Sequence, residues 1–447
     1  MKRYFGTDGI RGKVNDELTA ELAFEIGKSA AYTLKENGGK GFFLGKDTRI
    51  SCDMLAAALT AGITAMGMDV YNCGVIPTPA VALITNLLGA TAGIMVSASH
   101  NPPEFNGIKF IFSDGYKLSD SLEEKIEENL RVVEKKYASA TSVGRFEILP
   151  GAKETYIRYV LKRVAPDFDL KGMKIVVDTA NGAAYTIAPE IFRLLGARVS
   201  VINNIPDGLN INERCGSTHP DMLSKTVITE GADCGIAFDG DADRCIMVDE
   251  QGNVVDGDKL MVINALDMYE RKRLKANTVV ATVMSNIGME IALKSKGIKI
   301  ERTTVGDRYV VEKMRQIGAN IGGEQAGHII FTDYSTTGDG IITALLTLKV
   351  MITKGHKLSS LASVVDIYPQ VVRNVPVRDK EAFLKNKKIK EKITGINDIL
   401  MEGRIVVRPS GTEPVIRIMI EGKDEKEITA IADDVSEFIT RRLGGVD

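Results

Sequence analysis

The chain has 447 residues, more than one hydrophobic core sustains, and its 44% apolar and 26% charged content is that of an ordinary globular protein. Basic and acidic side chains number 57 and 59, for a net charge of −2, so no global field draws the chain to nucleic acid or to an anionic membrane. The polar opening Met1-Lys2-Arg3-Tyr4-Phe5-Gly6 is unlike a secretory signal, and apolar stretches such as 55–66 are too short to span a bilayer. The five scattered cysteines (Cys52, Cys73, Cys215, Cys234, Cys245) fit reduced thiols, and a cytoplasmic location is expected.

In chain order, one pattern recurs three times. A strand over 41–45 leads to a helix over 54–65, then Gly67 and a second strand. A strand over 173–178, a helix over 185–195 and Gly196 open a strand that runs to 201. A strand over 278–283, a helix over 287–295 and Gly297 open the strand at 298–300. Glycine stands each time where a helix stops and the chain turns back. Buried strands alternating with amphipathic helices imply βαβ crossovers. The expected fold class is α/β, with three related α/β domains whose sheets are mixed and largely parallel.

The end differs. Strands at 371–377, 403–407 and 415–421, a helical segment around 385–392 and a final helix over 427–443 predict a smaller C-terminal α+β domain. The basic run Lys385-Asn386-Lys387-Lys388-Ile389-Lys390 reads as a solvated face, since no aromatic residues interleave it. The bounds expected are 1–152, 153–253, 254–367 and 368–447.

Four segments carry candidate chemistry. In Ser97-Ala98-Ser99-His100-Asn101-Pro102-Pro103, an apolar strand runs into a loop that prolines keep out of helix. Ser99 offers a hydroxyl nucleophile that needs activation, with His100 and Asn101 beside it and Lys109 returning close in sequence. A plain Ser/Asn/Pro turn fits these residues as well. In Asp239-Gly240-Asp241-Ala242-Asp243-Arg244, alternating carboxylates repel unless a cation neutralises them, and hard oxygen donors favour Mg²⁺ or Mn²⁺. A calcium EF-hand would need glycine where Arg244 stands and helices where these flanks read as strands.

Gly322-Gly323-Glu324-Gln325-Ala326-Gly327-His328 allows close backbone approach to a ligand; Glu324 can accept from sugar hydroxyls or an amine, and His328 can donate. A structural histidine is the rival reading there, and the simpler one for His219 and His356. In Arg408-Pro409-Ser410-Gly411-Thr412-Glu413-Pro414 with Arg417, hydroxyls, N–H groups around glycine and guanidinium groups suit a phosphate better than a bare turn. Arg11, in Phe5-Gly6-Thr7-Asp8-Gly9-Ile10-Arg11-Gly12, is favoured for a site role, and Arg49 for a structural one.

Together, and in this order, the four segments resemble the α-D-phosphohexomutase superfamily, and the opening run, Cys215-Gly216-Ser217-Thr218-His219-Pro220 and Gly-Glu-Gln are similar to its bacterial branch acting on amino-sugar phosphates. Ala326 departs from the serine common at that position. The resemblance implies four domains around a central cleft and an isomerase that interconverts glucosamine 6-phosphate and glucosamine 1-phosphate, in support of amino-sugar nucleotide and cell-wall synthesis. Ser99 would be a phosphoserine that also donates an oxygen to one Mg²⁺ held by Asp239, Asp241 and Asp243. A sugar 1,6-bisphosphate would be intermediate and activator.

His100, Lys109 and Arg11 would serve proton transfer and charge stabilisation. Arg244, Glu324 and His328 would bind the sugar, and Arg408, Ser410, Gly411, Thr412 and Arg417 the non-reacting phosphate. The partners expected are a small phosphosugar and at most a second copy of the chain as a homodimer, with no nucleic acid and no membrane. The rivals are a mutase of mannose and glucose phosphates, an idle bisphosphate-binding regulator, and a phosphatase with an aspartyl nucleophile, which would leave the serine loop unexplained.

Overall fold

A computed structural model describes residues 4–6, 8–166, 168–400, 403–410 and 414–444. The chain forms two compact units, Met1–Thr282 with Ile298–Ser363, and Val283–Gly297 with Val364–Asp447.

The first unit is built on three sheets. The first holds β1 (Phe5–Gly6), β2 (Gly9–Lys13), β3 (Phe42–Lys46), β4 (Val70–Val75), β5 (Ala92–Val96), β6 (Phe105–Phe112) and β7 (Phe146–Ile148), in the order β1-β2-β6-β5-β3-β4-β7. The second holds β8 (Lys174–Asp178), β9 (Arg198–Ile202), β10 (Cys234–Phe238), β11 (Cys245–Asp249) and β12 (Val254–Val255), ordered β12-β11-β10-β8-β9. The third holds β13 (Thr278–Thr282), β14 (Lys299–Thr303), β15 (Ile321–Gly323) and β16 (Ile329–Phe331), ordered β14-β13-β15-β16.

One four-strand order therefore recurs: β6-β5-β3-β4, β11-β10-β8-β9 and β16-β15-β13-β14. The strand directions recur too. In each set the strand earliest in the chain (β3, β8, β13) lies parallel to both its neighbours, and β5, β10 and β15 continue into antiparallel hairpins. The expectation of three related α/β domains with mixed sheets is borne out, and the repeat puts one hairpin turn at the same place in each. Gly67, Gly196 and Gly297 close the three crossover helices with φ of 81°, 93° and 75°. That left-handed turn strains any residue with a Cβ.

Helix Gly340–Lys354 begins at Asp339, whose carboxylate accepts from the Ile342 N–H at 2.9 Å and from the Tyr156 hydroxyl at 2.9 Å to each oxygen. Burial pushes this carboxyl from 3.8 up to about 7, against the pull of those donors. A carboxyl whose folded pKa lies above its unfolded one favours folding when protonated. Stability is therefore lost as pH rises from about 4 to about 7. Asp339→Asn keeps the acceptor without the charge, so its stability relative to the parent should grow by a few kcal/mol between pH 4 and pH 7.5, as measured by urea melts.

In the second unit β17 (Gln370–Pro376), β18 (Arg404–Pro409) and β19 (Val415–Glu421) pair antiparallel in the order β17-β19-β18. Helix Glu425–Leu443 turns Ile428, Val435 and Ile439 onto the core of Ile416, Ile418 and Ile420. The expected helical segment is two helices, Lys380–Lys385 and Lys387–Ile399. Asn386 divides them because its side chain accepts from the Ile389 N–H and starts the second. Lys387, Lys388 and Lys390 are exposed and Ile389 is buried, as a solvated basic face requires. The smaller α+β domain is also as expected. The unit includes residues 283–297, with the third crossover helix Ile287–Ser295, and Asn286 pairs with both backbone groups of Tyr368. Among the described residues no helix is long and apolar enough to cross a membrane. The five cysteines are free and buried.

Candidate active site

Each repeat of the first unit delivers one loop at the turn of its hairpin: Ser99 between β5 and β6, residues 239–244 between β10 and β11, and residues 324–328 between β15 and β16. These turns follow the carboxyl ends of parallel strands, the usual place for a site in α/β sheets. β6 adds Lys109 and β2 adds Arg11.

Ser99 adopts φ 53°, uncommon for serine, and is almost fully buried. Its N–H donates to Ser97 Oγ at 2.9 Å. Arg49 holds the loop from below. Its Nε donates to Asp47 at 2.9 Å, Nη1 to the carbonyls of Pro102 (2.5 Å) and Phe105 (2.9 Å), and Nη2 to those of Ser99 (3.0 Å) and Asn101 (2.8 Å). Arg49 is thus spent on Asp47 and on backbone carbonyls. Arg11 instead pairs with Asp8 and reaches Asn101 Oδ1 at 3.5 Å.

The Ser99 hydroxyl donates to Asp239 Oδ2 at 2.6 Å, and His100 Nδ1 lies 3.4 Å from Oγ. Burial, then Arg244 and Arg11, press His100 down to about 4. Asp239, Asp241 and Asp243 bring one carboxylate oxygen each within 4.8 Å of the others, all buried. Asp241 Oδ2 is held by Thr78 Oγ1 at 2.6 Å and by Lys109 Nζ at 2.7 Å. Oδ1 of Asp241 and Oδ1 of Asp243 are buried without a hydrogen-bond partner. Burial, then Asp243 and Asp241, drive the Asp239 carboxyl up to about 8. Hard oxygen donors, two of them orphaned and one made unwilling to ionise by its neighbours, fit a small divalent cation.

Gly240 lies tight against the serine loop. A Cβ there would stand 2.5 Å from the Ser99 carbonyl oxygen and 2.8 Å from Ile211 Cδ1. Gly240→Ala should therefore part Ser99 from Asp239, lowering kcat by about 10- to 100-fold with a melting-point drop of only a few degrees.

Lys109 joins Asp241 to Asp8 (3.1 Å) and Asp243 (3.5 Å). Burial disfavours its charge, but those three acids outweigh burial and raise it well above the ordinary lysine value. Asp8 also pairs with Lys117, which pairs in turn with Asp307. His328 lies between Asp307 (Nε2, 3.5 Å) and Asp243 (Nδ1, 3.5 Å). Burial disfavours charge on the ring, but Asp243 and Asp307 outweigh burial and raise His328 to about 9. The acids and bases of this group thus alternate in a closed ring. Glu324 Oε1 accepts from the Gly306 N–H at 3.1 Å. Arg244 Nε stands 3.9 Å from Asp239 and 4.0 Å from Asp243, and Ala326 is exposed.

The first unit accordingly brings Ser99, His100, Lys109, Arg11, the three aspartates, Arg244 and His328 together. Residue-type reasoning missed Asp8, Thr78, Lys117 and Asp307; only Asp8 lay in a segment singled out. In the second unit Arg408 and Arg417 are cross-strand partners beside a cavity of about 240 Å³, with Met284, Val372, Asn374 and Met419 around it. Burial, then Arg417, lowers the pKa of Arg408. Ser410 is buried, its N–H donating to the Val415 carbonyl at 2.9 Å. Gly411 and Thr412 lie outside the described residues.

A repeated α/β fold with a serine hydroxyl on a buried aspartate cluster defines a phosphosugar-mutase type of enzyme. The chain belongs to the phosphoglucomutase/phosphomannomutase family, matching its alpha/beta/alpha domain I over residues 2–136, domain II over 154–252, domain III over 256–368 and C-terminal domain over 373–438. It is 52% identical over 456 residues to a phosphoglucosamine mutase of Caldicellulosiruptor bescii, covering 99% of this chain and 100% of that one. A phosphoglucosamine mutase of Thermoanaerobacter sp. strain X514 is 52% identical over 448 residues, with the same coverage. Among solved structures, a phosphoglucomutase/phosphomannomutase family protein of Burkholderia thailandensis superposes with a TM-score of 0.81 at 23% identity, covering 98% of each chain. The N-acetylphosphoglucosamine mutase of Aspergillus fumigatus, in complex with GlcNAc-6P and magnesium, superposes with a TM-score of 0.72 at 18% identity over 99% of this chain and 96% of that one. The resemblance read from the sequence is borne out, and with it the expectation of an enzyme.

Proposed function

We propose that the protein interconverts glucosamine 6-phosphate and glucosamine 1-phosphate through a phosphorylated Ser99 and a 1,6-bisphosphate intermediate. The observation that carries this reading is the Ser99 hydroxyl on Asp239, 2.6 Å away, within a carboxylate cluster that has two orphaned oxygens. The 52% identity to phosphoglucosamine mutases selects the amino sugar.

In the forward step the bond from Ser99 Oγ to phosphorus breaks as the free sugar hydroxyl oxygen bonds to phosphorus. The hydroxyl proton leaves and Oγ regains one. The bisphosphate turns end for end and returns its other phosphoryl group to Ser99, so atoms and charge balance over the cycle. Asp239, Asp241 and Asp243, with a phosphoserine oxygen, would hold one Mg²⁺, which supplies positive charge beside the group in transfer. Lys109, Arg11 and His100 would stabilise charge and handle the proton. Arg244, Glu324 and His328 would hold the sugar, and Arg408, Ser410, Gly411, Thr412 and Arg417 the phosphate that is not reacting.

Aspergillus fumigatus N-acetylphosphoglucosamine mutase has been captured with GlcNAc-6P and magnesium, and a serine-to-alanine variant of it with glucose 1,6-bisphosphate, in keeping with these ligand classes. The domain bounds proposed are 1–152, 153–253, 254–367 and 368–447, and the location cytoplasmic.

Turnover of glucosamine, glucose and mannose phosphates tests the substrate. The expected kcat/KM favours the amino sugar by about 10-fold or more. Equal or faster turnover of mannose phosphate would move the reading to a phosphomannomutase/phosphoglucomutase.

A further inference from the structure

The serine loop is clasped twice. Arg49 Nη2 spans the carbonyls of Ser99 and Asn101, and on the other side Asn212 Nδ2 spans the same two, at 2.9 and 3.0 Å. A carboxamide nitrogen has two hydrogens, so both are spent here. Arg49 belongs to the first repeat. Asn212 comes from the second, the repeat that also carries the aspartates. It is buried, with φ 58° and its own N–H donating to the Ala180 carbonyl at 3.0 Å. A Cβ on Gly240 would meet Asn212 Nδ2 at 3.0 Å, so the carboxamide that holds the serine loop also lies beside the aspartate loop.

We propose that Asn212 is a positioning residue for phosphoryl transfer: its carboxamide holds Ser99 in its left-handed conformation over the carboxylate cluster. The inference rests on the reading of Ser99 as the phosphoryl carrier. Ser99 at φ 53° stays there only while its surroundings over-determine it. Arg49 ties the loop to its own sheet and sets its height. Asn212 ties it to the neighbouring sheet and sets its register against Asp239.

The segment that supplies Asn212 is itself anchored. Asn203 and Arg214 also take positive φ, and Asp178 Oδ2 accepts the Gly216 N–H at 2.9 Å and an Asn203 Nδ2 hydrogen at 3.0 Å. Gly216, within Cys215-Gly216-Ser217, thereby helps fix the chain that aims Asn212. Aspartate would not serve, because a carboxylate facing two carbonyls has no hydrogen to give.

Asn212→Asp keeps the volume and removes both donors, whereas Asn212→Ala removes volume and donors together. For either full-length variant, kcat should fall by about 10- to 100-fold with KM for the sugar phosphate within about 2-fold of the parent. Transfer from glucose 1,6-bisphosphate onto Ser99, followed by intact mass and counted per folded molecule by circular dichroism, should slow by the same factor. A folded Asn212→Asp with kcat within about 3-fold of the parent, or variants in which KM rises while kcat holds, overturn the positioning role. If Asn212→Asp does not fold, the same criteria apply to Asn212→Ala. A parent that takes no phosphate at residue 99 overturns the underlying reading of Ser99. A labelled parent with equally fast variants overturns only the role of Asn212.

Discussion

Ser99→Ala should lose mutase turnover by about 10⁴-fold or more, together with the mass of about 80 Da that a phosphoryl group adds to residue 99. The size of the effect follows from the double use of one atom. Oγ gives the phosphoryl group in one half of the cycle and receives it in the other, and alanine leaves nothing at that position to do either. The aspartates stay in place, so the variant also separates the rival chemistries. A phosphatase acting through an aspartyl nucleophile would survive Ser99→Ala and fail on Asp241→Asn. An idle bisphosphate binder would show no turnover in the parent. The fold should persist, because Asp239 loses one hydroxyl donor at 2.6 Å, worth about 1–3 kcal/mol to a buried acceptor. Retention of more than about a hundredth of the parent rate would sink the phosphoserine mechanism.

Most of the frame was legible because it is local. The strand–helix–glycine–strand pattern depends on periods of two and 3.6 and on one left-handed residue, all within some thirty positions of each other. Gly67, Gly196 and Gly297 were readable for that reason. The alternating aspartates were readable because three buried charges in five residues make sense only with a counter-charge.

What stayed hidden is held by contacts far apart in the chain. Thr78 meets Asp241 across 163 positions, and Lys117 meets Asp307 across 190. No spacing rule connects such pairs; they meet only once the repeats that carry them have folded against each other. Asn212 was invisible for a second reason. It binds backbone carbonyls, which every residue carries, so nothing in its partners' identity could point back to it. The short break at Asn386 was missed because an asparagine within a lysine-rich run reads as one more polar helix position until its side chain is seen to cap the next helix.

Lys109→Met should destabilise the metal-free protein by about 3–5 kcal/mol and make its melting temperature depend on a divalent cation. Lys109 is 1% exposed, and its ammonium is the shared partner of Asp241 at 2.7 Å, Asp8 at 3.1 Å and Asp243 at 3.5 Å. Methionine is nearly as long and as flexible, so the cavity term is small and what is lost is charge. With the ammonium gone, these carboxylates lie in a low-dielectric site already unfavourable enough to push Asp239 up to about 8. A cation that binds the folded cluster and not the unfolded chain restores part of the loss by mass action. Millimolar Mg²⁺ should therefore raise the melting temperature of the variant by more than that of the parent, and a chelator should lower it by more. Activity should stay depressed by about 10³-fold even with Mg²⁺, because a cation on the aspartates does not replace the fixed ammonium that joins them to Asp8 beside Arg11. Equal melting temperatures for variant and parent in chelator would show that the cluster does not depend on Lys109. Full stability with lost activity would leave the lysine a role in the reaction alone.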